Sequence, residues 1–201
     1  MIRLHGVALS GHVHRVDLFL RILGLQFEAV DAPGDVRATP AFRKLNPLGQ
    51  IPVLEDDGLV LADSNAILVY LAKQYDRGGA WLPEDPACAA RVQRWLSLAA
   101  GEIAYGPGAA RLNQLFGVPL DAAQAKAIAQ RLLAFMDDHL SARDYLAAAH
   151  PTIADLACYA YVAHAPEGGV SLTPYPAVEA WIARIEALPA FSPMPASAVA
   201  A

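Results

Sequence analysis

Apolar positions along the chain change their spacing in a way that divides it. In residues 2–7 and 27–30 they come as short runs bounded by Gly6, Gly11 and Gly24, while between the runs Val13, Val16, Leu20 and Leu23 recur at threes and fours. The short runs predict strands and the three-four spacing predicts a helix ending near Gly24, so the chain opens β-α-β. Thr39 before Pro40 predicts an N-cap and a first helical turn, opening a short helix that stops before Pro47. Residues 51–55 and 59–62 read as strands joined by Asp56, Asp57 and Gly58, the composition of a hairpin turn. Ile67, Leu68 and Leu71 then restore helical spacing and predict a helix over 64–75, with Ser64 as its N-cap.

Strand signals end there. Residues 77–84, with Gly78, Gly79 and Pro83, predict a linker in which Trp81 and Leu82 are pinned between two halves. Helices are predicted from Asp85 and Pro86 onward, with Val92, Trp95, Leu96 and Ala99 on one face, and then over 121–139, 152–164 and 176–188. Thr152 followed by Asp155 is a shortened capping box, which is a folding element rather than a chemical one. Residues 189–201, with three prolines, are expected to lie loosely on the surface or fray. The predicted class is α/β plus all-α: a thioredoxin-like βαβ-ββα domain over 1–76, the linker 77–84, and an all-helical domain over 85–201.

Composition narrows what such a chain does. Of its 201 residues 55% are hydrophobic and 17% charged, enough apolar side chain for a substantial core. Fifteen basic against twenty acidic residues give a net charge of −5 without any Lys/Arg run, so nucleic acid and anionic membrane are poor partners. No stretch approaches the roughly 18 apolar residues needed to span a bilayer, and the N-terminus lacks the apolar segment of a signal peptide, so a cytoplasmic location is expected. Cys88 and Cys158 form neither a Cys-x-x-Cys pair nor a zinc spacing, and no metal is expected; Cys158, in an apolar run, reads as a small core residue.

Two stretches carry candidate chemistry. Pro47, Gly49 and Pro52 make residues 46–52 a turn feeding a strand, and Ile51-Pro52 is a candidate cis bond. Such a bond would turn the Ile51 N–H and C=O outward, free to pair with a short extended peptide. Asp63 and Ser64 follow at a helix start, an acid beside N–H groups that bind carboxylates. Together they suit a small zwitterionic peptide. Residues 1–38 contain no Tyr, Thr or Cys, and Ser10 is their only hydroxyl, placed between the first strand and the first helix. A hydroxyl there, at the positive end of a helix, would favour a thiolate over a thiol.

The run Asn46-Pro47-Leu48-Gly49-Gln50-Ile51-Pro52-Val53-Leu54, followed by Ala62-Asp63-Ser64 and the apolar helix to Leu71, resembles the glutathione-binding half of the soluble glutathione S-transferases. The segment from Ser10 to Val16 resembles the Ser-Gly-Asn-x-x-Lys-Val segment of the serine-type members, with His12 in place of Asn. Tyr145-Leu146, Thr152 with Asp155, Tyr175-Pro176 and Trp181 are similar to the helical half of the same family. The resemblance implies Ser10 as thiolate stabiliser with His12 beside it. Glutathione, the co-substrate, would be held by Gln50, the main chain of Ile51, Asp63 at the γ-glutamyl ammonium, Ser64 at that residue's carboxylate and Arg37 at the glycyl carboxylate. A small hydrophobic electrophile would lie between the Ser10 loop and the first long helix of the second domain. That region offers Glu102, Tyr105, Arg111 and Phe116 around a helix break at Gly106-Pro107-Gly108, and none of the four is assigned a role. A homodimer is implied as well. The reaction implied is conjugation of glutathione to the electrophile. Isomerisation, dehalogenation or disulfide or peroxide reduction on the same site is the second expectation, and a non-catalytic binding module the third.

Overall fold

Four strands, β1 (Ile2–Gly6), β2 (Phe27–Asp31), β3 (Val53–Asp56) and β4 (Leu59–Ala62), form one mixed sheet in the order β2-β1-β3-β4. The computed structural model describes residues 1–197. β1 runs parallel to β2, with Leu4 opposite Ala29, and antiparallel to β3, with Leu4 opposite Leu54. The parallel pair needs a crossover, which helix α1 (Gly11–Ile22) supplies, and the antiparallel pair β3-β4 is closed by a tight turn with Asp57 and Gly58 at positive φ. β3 begins at Val53, two residues later than the apolar run, because Pro52 has no N–H for the ladder. Residues 34–38, for which the apolar spacing predicts no element, form a short helix α2 (Gly34–Ala38) before α3 (Pro40–Leu45).

Helix α4 (Ser64–Tyr75) covers the sheet beside α1, and α5 (Pro86–Ala100) begins the helical half, where no strand occurs among the described residues. The expected break at Gly106-Pro107-Gly108 is not one. A single π-helical turn, Ala104–Gly108, accommodates Pro107 and leads directly into α6 (Ala109–Phe116). Helices α7 (Ala122–Leu140), α8 (Ile153–Ala163) and α9 (Pro176–Glu186) follow, with a 3₁₀ turn Ala165–Gly168 after α8. Ten consecutive residues of α8, Ile153 to Val162, are buried, making it the central post of the helical half.

The Thr152 box closes with both its bonds, and Asp155 also accepts from Leu146 N–H at 3.0 Å and Trp181 Nε1 at 3.0 Å. One contiguous core joins Leu4, Phe19 and Leu68 of the sheet half to Trp95, Leu156 and Trp181 of the helical half. Trp81 sits between them, its ring 5.2 Å from that of Phe19 and its carbonyl accepting from Ile153 N–H at 2.9 Å. The tail does not lie loose over its described residues. Met194 is buried, Ser192 C=O faces His14 Nε2 at 2.8 Å, and Ser197 N–H donates to Glu167 at 2.9 Å. Residues 198–201 lie outside the described residues.

Candidate functional site

Ser10 is fixed by the turn that ends β1 and starts α1. Its φ/ψ of −88°/115° are those of an N-cap, and its Oγ accepts from Val13 N–H at 3.3 Å while its carbonyl accepts from His14 N–H. Capping uses the oxygen as acceptor, so the hydroxyl proton is left to donate elsewhere. The preceding Leu9 carbonyl is held at 2.9 Å by Arg111 Nη1, and Arg111 Nε makes a 2.6 Å buried ion pair with Glu167. Burial alone would raise the Glu167 carboxyl. Bonds from His164, Ser197 N–H and Arg111, with the guanidinium's charge, outweigh it and hold the pKa below the usual range.

The second anchor is the start of α4, where the structure corrects the expected cap. Asp63, not Ser64, is the N-cap: one carboxylate oxygen accepts from both Asn65 and Ala66 N–H at 2.9 Å. That leaves the second oxygen of this exposed carboxylate available. Asp63 adopts φ 72°, a left-handed backbone uncommon for a non-glycine residue, and turns the chain so that Ser64 becomes the first helical residue. Ser64 is buried, and its Oγ accepts from Arg15 Nη1 at 3.2 Å and lies 3.3 Å from His12 Nδ1. Arg15 is 1% exposed, has no carboxylate partner among the described residues, and keeps Nε and Nη2 unpaired. It is a buried positive charge directly behind Ser64.

His12 is mostly covered, with its ring edge-on to Tyr161 at 5.0 Å. Burial, and then the charge on Arg15, lower its pKa to about 3, so it is a neutral imidazole. With Arg15 donating to Ser64 Oγ, the Ser64 proton is available to His12 Nδ1, which assigns the imidazole proton to Nε2. His14 is buried against the tail.

The third wall is the turn before β3. Ile51-Pro52 is cis, and neither the N–H nor the C=O of Ile51 has a partner among the described residues. Asn46 braces this turn, donating through Nδ2 to Gln50 C=O at 2.9 Å and accepting from Leu48 N–H. Gln50 keeps its side chain exposed, and Arg37 on α2 turns inward with Nε buried and unpaired.

All seven residues singled out in the sequence, Ser10, His12, Arg37, Gln50, Ile51, Asp63 and Ser64, line a single cavity of about 780 Å³. Its opposite wall comes from the helical half: Arg111, Leu112, Phe116, Val118 and Tyr161. Of the four residues offered there by the sequence, Arg111 and Phe116 line this cavity, whereas Glu102 and Tyr105 line a separate one of about 380 Å³. Sequence reasoning missed Arg15 and Tyr161 altogether. One end of the cavity is thus polar and cationic, with an open strand edge, and the other apolar.

Comparison with known proteins places this geometry. Residues 4–80 match the glutathione S-transferase N-terminal domain and residues 120–189 the glutathione S-transferase C-terminal domain. Glutathione S-transferase 3 of Zea mays is 35% identical over 206 residues, covering 94% of this chain and 91% of the relative. The crystal structure of a glutathione S-transferase from Pseudomonas fluorescens superposes with a TM-score of 0.89 at 34% identity, covering 96% of this chain and 98% of that one. Elongation factor 1-gamma of Rattus norvegicus is 32% identical over 143 residues, 66% of this chain and 31% of the relative.

Proposed function

The chain belongs to the glutathione S-transferase family, and from that premise we propose that it is a glutathione transferase of the serine type, adding the glutathione thiolate to a small hydrophobic electrophile. The observation that carries the proposal is the single cavity in which all seven sequence-predicted residues meet. In this reading the cysteinyl main chain of glutathione pairs with the free N–H and C=O of Ile51. The γ-glutamyl ammonium meets the free oxygen of Asp63, and its carboxylate meets the Ser64 N–H, backed by Arg15. Arg37 and the Gln50 amide receive the glycyl carboxylate, and Leu112, Phe116 and Val118 contact the electrophile.

A free thiol with a pKa of ~8.5 is mostly protonated at neutral pH, so the site must favour the anion. Three things in reach do so: the Ser10 hydroxyl, the positive end of α1, and the buried charge of Arg15. Neutral His12 adds an N–H dipole whose donor does not depend on pH in the working range. Rate then comes from thiolate formation and from holding sulfur against electrophile. The division at 1–76, 77–84 and 85–201 is part of the proposal, supported by α4 ending at Tyr75 and α5 starting at Pro86. So are a cytoplasmic location, action without a metal, and a homodimer. Support for the dimer is the outer strand β4, which leaves Leu59 and Val60 39% and 40% exposed, and sedimentation or light scattering tests it.

The test of the activity is direct. The protein should be retained on immobilised glutathione and should show thiolate absorbance with glutathione at neutral pH. Ser10→Ala should keep binding and lose most of that absorbance; an unchanged spectrum removes Ser10 from the role. The similarity to elongation factor 1-gamma keeps a non-catalytic reading in view. A chain that binds glutathione but turns over no aryl halide, epoxide, peroxide or mixed disulfide would favour it.

A further inference from the structure

We propose that Tyr161, delivered from α8 of the helical half, is a second hydroxyl donor to the glutathione sulfur, acting beside Ser10. The inference rests on the glutathione reading of the cavity. It starts from an unspent donor. Tyr161 is 5% exposed and lines the cavity; the Ser10 hydroxyl and the His12 N–H point at its oxygen as donors, while its own proton has no acceptor among the described residues. Buried phenols normally find a partner, and Tyr159, two residues earlier on the same helix, does so with Glu186 at 2.8 Å. The Tyr161 proton is left to donate into the cavity that the residue lines.

The ring is placed there by close packing from both halves. A methyl group on Gly11 would lie 2.9 Å from Cε1 and Cζ of Tyr161, and one on Gly108 would lie 3.5 Å from Cγ. Glycine at the first residue of α1 therefore lets the hydroxyl-bearing end of the ring rest on that helix's N-terminus, where Ser10 is the cap. The Ser10 hydroxyl and the His12 main chain are the polar groups flanking the phenolic oxygen. The edge-on contact with His12 fixes the ring's tilt.

The charge environment agrees with a donor. Burial raises the Tyr161 pKa, against the pull of Arg15 and Arg111, so the group stays protonated at neutral pH. A sulfur between Ser10 and Tyr161 accepts two O–H bonds once Ser10 turns its proton from the phenol to the sulfur; both are stronger to thiolate than to thiol, and both therefore lower the thiol pKa. On binding, the thiol proton leaves to solvent and both hydroxyls keep theirs.

Tyr161→Phe keeps the ring and its packing and removes only the donor. The bound thiol, followed by ultraviolet absorbance against pH, should titrate about one pH unit higher than in the wild type, and kcat/KM below that pKa should fall about tenfold. The glutathione Kd should stay within about twofold and the Tm should be unchanged, since no packing is lost. Ser10→Ala should retain a residual thiolate fraction at neutral pH that the double variant Ser10→Ala/Tyr161→Phe loses. A Tyr161→Phe titration superimposable on the wild type overturns the proposal and leaves the glutathione site standing. A wild-type protein with no thiolate absorbance and no retention on immobilised glutathione overturns both.

Discussion

At the scale of single residues the site is built from side chains that perform two tasks with different atoms. Asp63 caps α4 with one oxygen and offers the other, so the tasks separate by substitution. Asp63→Asn keeps a capping oxygen and tolerates the left-handed backbone, and should leave stability within about 0.5 kcal/mol while weakening glutathione binding about tenfold through the lost charge. Asp63→Ala should lose both, with about 1 kcal/mol of stability lost with the cap. Calorimetric binding and urea unfolding of the two variants check this. His12 makes a pH prediction. Its folded pKa lies near 3, below an unfolded value of about 6.5, so between those limits the unfolded chain holds a proton that the folded one does not. Stability is therefore greatest above about pH 6.5 and declines as the pH falls toward 3. His12→Asn should remove up to about 2 kcal/mol of the difference between pH 7 and pH 5, measured by urea unfolding at both values. Ser10 and the Asp63-Ser64 helix start were legible because capping chemistry is written in adjacent residues, although the cap itself falls on Asp63 and not Ser64. Arg15 and Tyr161 were not. Arg15 finds Ser64 from 49 positions away, and Tyr161 lies in a helix apolar on every face, where spacing carries no direction.

Among elements, the strands and long helices follow from spacing and caps, and the departures have local causes. The 34–38 segment carries Gly34, Val36 and Ala38 without a second apolar turn, so its single helical turn leaves no periodic trace. Pro107 reads as a breaker because a proline removes one N–H, yet a wider turn absorbs that loss. The element on which the helical half depends is α8, whose N-terminus is tied by Asp155. That carboxylate is fully buried and accepts from Thr152 N–H and hydroxyl, Leu146 N–H and Trp181 Nε1, joining α8, the preceding loop and α9. Asp155→Ala strands all of these donors and should destabilise by about 3–5 kcal/mol. Thr152→Ala, which leaves the carboxylate's other bonds in place, should cost about 1–2 kcal/mol. Urea midpoints at constant slope measure both.

For the whole molecule the question is whether the glutathione half could hold its site alone. The chain's composition changes at the linker, which invites the picture of two domains, but the physical connections run the other way. The core is continuous from Leu4 to Trp181, and Trp81 packs on Phe19 while binding the start of α8. Polar ties add to this: Asn65 Nδ2 donates to Leu96 C=O at 3.0 Å, and Arg111 holds the carbonyl before Ser10. The ring of Tyr161 lies on Gly11, so the face of α1 nearest the candidate thiolate position is a domain contact. Removing residues beyond 80 would expose Phe19 and Leu68 and leave Arg15 behind a helix start stripped of its cover. Burial at about 25 cal/mol per Å² over so many side chains makes independent stability of the first half implausible on energetic grounds. The 201-residue chain is therefore expected to unfold in a single transition, with tryptophan fluorescence and far-ultraviolet circular dichroism coincident, because the three tryptophans report the linker and helical half while the dichroism also reports α1, α4 and the sheet. A chain of residues 1–80 is expected to show neither a cooperative transition nor retention on immobilised glutathione. Two separated transitions in the 201-residue chain, or glutathione retention by the fragment, would show that the site belongs to the first half alone.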